Sequence, residues 1–204
     1  MITIVDFKMG NLGSIRNMFK KIGVESQITA DPAMIESATK LLLPGVGAFD
    51  AGMDNLERSG LVPLLNRRVL QDRIPTLGIC LGMQLMTASS EEGQRKGLGW
   101  LNAEVLRFRP ADPSLKVPHM GWNRVTTARA SPLTDSLPEE PRFYFVHSFY
   151  ARCRDPQDVL LTTSYGETFH SGIQRGNVYG VQFHPEKSHM FGMALLRSFA
   201  TRVN

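Results

Sequence analysis

The sequence predicts an α/β protein: an open, mainly parallel twisted sheet flanked by helices, with an additional antiparallel portion in the C-terminal half. Two patterns predict it. In the first half, short aliphatic and β-branched runs alternate with stretches whose apolar residues recur at helical spacing. In the second half, short strand-like runs follow one another with turn residues between them. The 204 residues suffice for one well-filled core and are short for two, so a single domain spanning 1–204 is expected.

Ile2–Val5 is a β-branched run and the first predicted strand. Asn11 opens a helical segment with Ile15, Met18, Phe19 and Ile22 on one face. Residues 24–29 and 40–43 are further strands, the second an apolar run closed by Pro44-Gly45, as suits a strand buried on both faces. Helical spacing returns from Phe49 to Leu56 and through Leu61, Leu64, Leu65 and Val69. Residues 74–79 form the next strand and 81–88 the next helix. Strands joined by helices imply right-handed crossovers and parallel pairing. Beyond them, strands are predicted at 105–108, 123–127, 142–146, 159–163, 168–173 and 178–183, with a hairpin turn at Arg175-Gly176-Asn177. A last helix runs from an N-cap at Ser188 to Arg202.

Composition narrows the function classes. With 42% hydrophobic and 21% charged residues the chain matches ordinary globular proteins, and no apolar run approaches the ~20 residues of a membrane span. Met1-Ile-Thr-Ile-Val-Asp6 has no basic leader and reads as a strand, not a signal peptide. The net charge of +4 comes from scattered basic residues without an aromatic-basic platform, so nucleic acid is not an expected partner. Two cysteines, Cys80 and Cys153, read as free thiols of a cytoplasmic protein.

Gly78-Ile79-Cys80-Leu81-Gly82 places a cysteine between glycines at a strand-to-helix turn. This is the thiol version of the G-x-S-x-G elbow, in which small neighbours allow a tight turn that lifts the nucleophile off the sheet edge. A helix N-terminus favours thiolate there, and the Leu81 amide can face a developing oxyanion. A buried structural cysteine is the competing reading of the pentapeptide. Val181-Gln182-Phe183-His184-Pro185-Glu186 supplies a base and, two residues on, a carboxylate able to orient it. Pro44-Gly45-Val46-Gly47 follows a strand, where its amides near Val46 or Gly47 could join an oxyanion hole; it fits neither phosphate-loop pattern.

Together with Asp6-Phe7-Lys8-Met9-Gly10-Asn11, Pro118-His119-Met120-Gly121-Trp122-Asn123 and Tyr144-Phe145-Val146-His147-Ser148, these motifs make the whole chain resemble the class I (triad) glutamine amidotransferases. Within them it resembles the branch that serves imidazole glycerol phosphate synthase in histidine biosynthesis. The resemblance implies Cys80 as nucleophile, His184 as acid/base and Glu186 as its orienter. It further implies Val46, Gly47 and Leu81 at the oxyanion, and Gly45, Gln84, Glu92 and Ser148 around substrate glutamine. Asn11, Met120, Trp122, Asn123, Tyr144 and Lys187 would face a (β/α)8 cyclase partner that receives the ammonia. No cofactor and no metal is implied. One departure is Phe7-Lys8, where the family commonly has Tyr-Gly, and a solvent-facing Lys8 is expected.

Competing readings are another triad glutaminase, a scaffold with a dead site, and a zinc site made of Cys80, His147, His184 and Glu186, which lacks any C-x-x-C or H-x-x-x-H spacing. His119, His170 and His189 have no assigned role and are expected to be core or surface histidines.

Overall fold

The computed structural model describes residues 1–203. The chain runs through β1 (Ile2–Val5), α1 (Leu12–Lys21), β2 (Ser26–Thr29), α2 (Pro32–Glu36), β3 (Leu41–Gly45), α3 (Phe49–Arg58), α4 (Val62–Asn66), β4 (Thr76–Cys80) and α5 (Leu81–Leu85). It continues through β5 (Ser89–Ser90), β6 (Ala103–Arg107), β7 (His119–Arg124), β8 (Thr126–Thr127), β9 (Arg142–His147), β10 (Phe149–Cys153), β11 (Val159–Tyr165), β12 (Glu167–Arg175), β13 (Val178–Val181) and α6 (His189–Thr201). The main sheet has the order β2-β1-β3-β4-β13-β12-β10-β6-β5, with β11 and β8 attached beyond β12. Its first five strands are parallel, and β12, β10 and β6 continue it in antiparallel fashion. The predicted mixed sheet is therefore present, and β13, from the far end of the chain, lies directly beside β4.

Period-two alternation fills both faces of the parallel strands. Ile4, Leu42 and Ile79 point to the side of α1 and α6, where Phe19, Leu195 and Phe199 are buried. Val5, Leu41 and Leu43 point the other way, against Phe49, Leu56 and Leu81. At ~25 cal/mol per Å² of apolar surface, these two layers hold the carboxyl edges of β3, β4 and β13 in fixed register.

The structure corrects several predicted elements. Helix α2 lies outside the expected set, although Asp31 accepts the Ala33 amide at 2.9 Å as N-cap and Pro32 takes the first helical position. The predicted strand 123–127 is two pieces: β7 pairs with β9 in a separate two-stranded sheet, while β8 pairs with β11. Val125 is buried between them and breaks the run. Strand β10 is a further addition. Helix α5 ends at Leu85, short of the expected Ala88, so less dipole bears on Cys80 than a longer helix would supply. Ser188 sits at the N-cap position of α6 but its side chain makes no cap bond. Its hydroxyl instead donates to the His184 carbonyl at 2.6 Å and accepts from the Tyr144 amide at 3.0 Å.

Candidate active site

Cys80 ends β4 with Gly45 of β3 as its register partner on one side. On the other side Val181 pairs with Ile79, so the chain leaving β13 continues past Cys80 toward Gln182 and His184. Residues more than a hundred positions apart in sequence thus share one sheet edge. Cys80 has φ 53° and ψ −113°, a left-handed conformation that costs a non-glycine residue ~1–3 kcal/mol. The elbow is held closed by glycine: a Cβ on Gly82 would overlap the Leu43 carbonyl oxygen, and one on Gly78 would meet the Met83 amide at 2.7 Å.

Cys80, Leu81, Gln84, Glu92, Val46, Gly47, Ser148 and His184 line one cavity of about 350 Å³, together with Pro118, Val146, His147 and Phe149. All but two of the residues predicted around nucleophile and substrate meet there. Gly45 is not among the lining residues, and any side chain on it would press on Leu81 and Gly82. Glu186 stands behind His184, its Oε1 2.8 Å from His184 Nδ1. The backbone after His184 is a 3-10 turn over Pro185–Lys187, and this turn brings both side chains together.

His184 is almost fully buried, and its main-chain amide donates to the Tyr144 carbonyl at 2.9 Å. Its Nε2 has no hydrogen-bond partner among the described residues. Burial opposes a charge on this ring, yet the neighbouring Cys80 sulfur and Glu186 carboxylate outweigh it and hold the imidazole up to about 10. Cys80 acts on the ring's charge, although its sulfur and Nε2 do not meet hydrogen-bond geometry. An imidazolium beside the sulfur stands ready to protonate a leaving group.

Glu92 accepts the Phe49 amide at 2.9 Å, so its carboxylate is anchored at the start of α3 while it lines the cavity. The Gln84 amide donates to the Phe149 carbonyl at 3.2 Å and to Gln182 Oε1 at 3.0 Å. Gln182 in turn donates to Cys80 Sγ at 3.6 Å. No sequence motif singles out Gln182. Its one signal is its place two residues before His184, in the bend that follows β13.

His119 and His147 prove to be core residues with a defined bond. The Phe149 carbonyl, 2.7 Å from His147 Nδ1, can only accept, so that nitrogen carries the proton. His147 Nε2 then accepts from His119 Nδ1 at 3.1 Å, which leaves His119 Nε2 to accept from Asn123 at 3.3 Å. Burial pushes His119 down to about 4 and His147 down to about 3, so both are neutral near pH 7. His170 is also partly buried and accepts the Cys153 amide at 3.0 Å. Among the described residues, no group of three or more His, Cys, Asp or Glu side chains is arranged to hold a metal ion.

The expected partner-facing residues divide by strand alternation. Met120, Trp122 and Tyr144 share the outer face of the β7–β9 pair, with Trp122 paired to Tyr144 and 46% exposed. Trp122 stacks on His189 at 5.5 Å, and the Lys187 ammonium lies 5.6 Å from the Tyr144 ring. Asn123 points the other way and donates to the Ser164 carbonyl at 2.9 Å, so its side chain is tied within the fold. Asn11 caps α1 by accepting the Ser14 amide at 3.2 Å. Lys8 is highly exposed, as expected, and pairs with Asp6 at 3.6 Å.

The profile of the class-I glutamine amidotransferases matches residues 3–203. The chain is 54% identical over 199 residues to imidazole glycerol phosphate synthase subunit HisH 2 of Methanococcus maripaludis, covering 98% of each sequence. It belongs to the class-I glutamine amidotransferase family, in the HisH branch. To the subunit HisH 2 of Pseudomonas aeruginosa it is 47% identical over 203 residues, covering 100% of both chains. Among solved structures, the amidotransferase shares its fold with PurLQS from Thermotoga maritima, with a TM-score of 0.74 at 18% identity, covering 97% of this chain and 96% of that one. A glutamine amidotransferase from Thermotoga maritima is alike in fold, with a TM-score of 0.64 at 19% identity, covering 91% of this chain and 75% of that one. Among the described residues of this amidotransferase, no helix is long and apolar enough to cross a membrane.

Proposed function

We propose that this chain, acting as one amidotransferase domain in the cytoplasm, hydrolyses glutamine to glutamate and ammonia through Cys80, His184 and Glu186. The ammonia passes to a cyclase partner of (β/α)8 fold that makes imidazole glycerol phosphate. One observation carries the reading: a buried imidazole bonded through Nδ1 to Glu186, its Nε2 left without a partner among the described residues, shares a cavity with Cys80. The names of the relatives support the choice of pathway.

The Cys80 thiolate attacks the carboxamide carbon of glutamine, and amides of the Val46-Gly47 loop and Leu81 stabilise the oxyanion, each worth on the order of 3 kcal/mol. The His184 imidazolium gives its proton to the departing nitrogen, which leaves as ammonia while the oxyanion collapses to a glutamyl thioester on Cys80. The now neutral imidazole takes a proton from water, hydroxide adds to the thioester, and glutamate leaves with thiolate and imidazolium restored. Gln84, Glu92 and Ser148 hold the amino-acid end of glutamine. The outer face of Met120, Trp122, Tyr144 and Lys187 docks the partner.

The test is glutamate release by the chain with its cyclase partner, for the parental protein and for Cys80→Ala, each with and without a chelator. The variant is expected to lose activity by about 10³-fold or more, and the chelator to leave the parental rate unchanged. Retained activity in Cys80→Ala, or loss on chelation, overturns the thiol mechanism.

A further inference from the structure

Gln182 is fully buried at the exit of β13, and its amide makes contact with the reacting sulfur itself. Which end of that carboxamide faces Cys80 is fixed by the neighbours. The Phe149 carbonyl cannot donate, so the Gln84 group 3.2 Å from it is the NH₂. The second hydrogen of that NH₂ goes to Gln182 at 3.0 Å, so the atom receiving it is oxygen. The NH₂ of Gln182 is therefore the end turned to Cys80 Sγ, 3.6 Å away. The main chain of Gln182 is pinned as well, its amide donating to the Ser171 carbonyl at 2.9 Å. Gln182 thus joins two bonds, satisfying one N–H of Gln84 through its oxygen and reaching the sulfur through its nitrogen.

We infer that Gln182 is a donor to the nucleophile, oriented through Gln84 and the Phe149 carbonyl, which steers the Cys80 sulfur and stabilises its negative charge opposite His184. A hydrogen bond offered to the charged form of an acid favours that form, and a polarisable sulfur accepts one at this distance. The sulfur lies beside two groups from the segment that follows β13, the donating amide of Gln182 and the imidazole of His184. Glutamine at 182 also has a cost that explains why it needs Gln84: unoriented, its oxygen would face the thiolate and repel it. The inference rests on the proposed thiol mechanism.

The experiment compares the parental protein with Gln182→Met, which keeps the shape without a donor, and Gln182→Glu, which keeps the shape and can present a carboxylate to the sulfur. Iodoacetamide alkylation of Cys80 is followed against pH by peptide mass spectrometry, which separates it from Cys153, and glutaminase turnover is measured with the partner. In Gln182→Met the pH midpoint of alkylation is expected to move up by about one unit and kcat to fall about tenfold, with KM for glutamine nearly constant. In Gln182→Glu the midpoint moves further. Superimposable alkylation profiles in a folded variant, as judged by circular dichroism and the unfolding midpoint, overturn the inference. Should Gln182→Met fail to fold, Gln182→Glu decides alone by the same profile. If Cys80→Ala is inactive while both Gln182 variants match the parental profile, only this inference falls and the thiol mechanism stands.

Discussion

Replacing Glu186 with Gln isolates what a charge behind the imidazole contributes. The carboxamide can still offer oxygen to His184 Nδ1, which now lies 2.8 Å from the carboxylate, so the ring keeps its orientation and loses only the charge. Both side chains are nearly inaccessible, at 2% and 4% exposure, so solvent screens little of it. A buried hydrogen bond contributes ~1.5–3 kcal/mol to a charged group and ~0.5–1.5 to a neutral one, so losing the charge alone costs ~1–1.5 kcal/mol, and at 1.36 kcal/mol per tenfold the expected fall in kcat is about 5- to 15-fold. Glu186 does not line the cavity, so KM for glutamine should stay within about twofold. The imidazole, held up to about 10 in the intact site, moves toward its ordinary value in the variant. The assay is coupled detection of glutamate, with the partner present, across pH. A kcat within about threefold of the parental value, or a loss confined to KM, refutes the role given to this carboxylate.

Three further outcomes are expected. His119 and His147 are held neutral at about 4 and about 3, so below their unfolded value of 6.5 the unfolded chain binds protons that the folded chain does not. Stability should fall with falling pH in that window by ~1.4 kcal/mol per unit for each ring, and His119→Gln, tested by urea midpoints between pH 7 and 5, should remove one ring's share; an unchanged slope counts against the assignment. His184 works with the opposite sign, its contribution complete below 6.5 and lost as pH rises through about 10. Gly82→Ala should cost at least ~1–3 kcal/mol in urea unfolding, because the methyl group meets the Leu43 carbonyl and not a movable side chain; a midpoint shift under ~0.5 kcal/mol would show that the elbow has slack. Trp122→Ala should weaken partner binding in calorimetry by about tenfold or more while leaving the unfolding midpoint nearly unchanged, and equal affinity would remove this residue from the docking face.

The parallel half of the fold is legible in the sequence because each strand is a short run buried on both faces and each helix an interrupted stripe. Leu41–Gly45 and Thr76–Cys80 fall within a residue or two of their predicted positions. The failures come where pairing, not local pattern, makes the strand. Phe149–Cys153 has no clean alternation, and it is extended because five consecutive pairings with β6 hold it, from Phe149 opposite Arg107 to Cys153 opposite Ala103. The division of 123–127 likewise depends on two different partners, β9 and β11, which no local window contains. Helix α2 is a different failure, since its Asp-Pro start is present in the sequence and only its five-residue length hides it.

The same distinction separates the residues of the site. Cys80, His184 and Glu186 announce themselves because nucleophile, base and carboxylate are rare types set among glycine, proline and apolar neighbours. Glycines 45 and 82 suggest flexibility in the sequence, yet their φ values are not the positive ones; what they supply is room for β3 to approach α5. Gln182 is invisible there because an amide carries no charge and no motif weight. Its meaning appears only when three elements bring together an acceptor that cannot donate, an amide oriented by it, and a sulfur. Donor direction passes along such a chain from its one unambiguous end, here a backbone carbonyl, and each amide inherits its orientation from the last. The polarity at the nucleophile therefore depends on the sheet's pairing order, with β10, α5 and the segment after β13 each contributing one link. A substitution that reverses any link reverses what Cys80 meets, even where no catalytic group has changed.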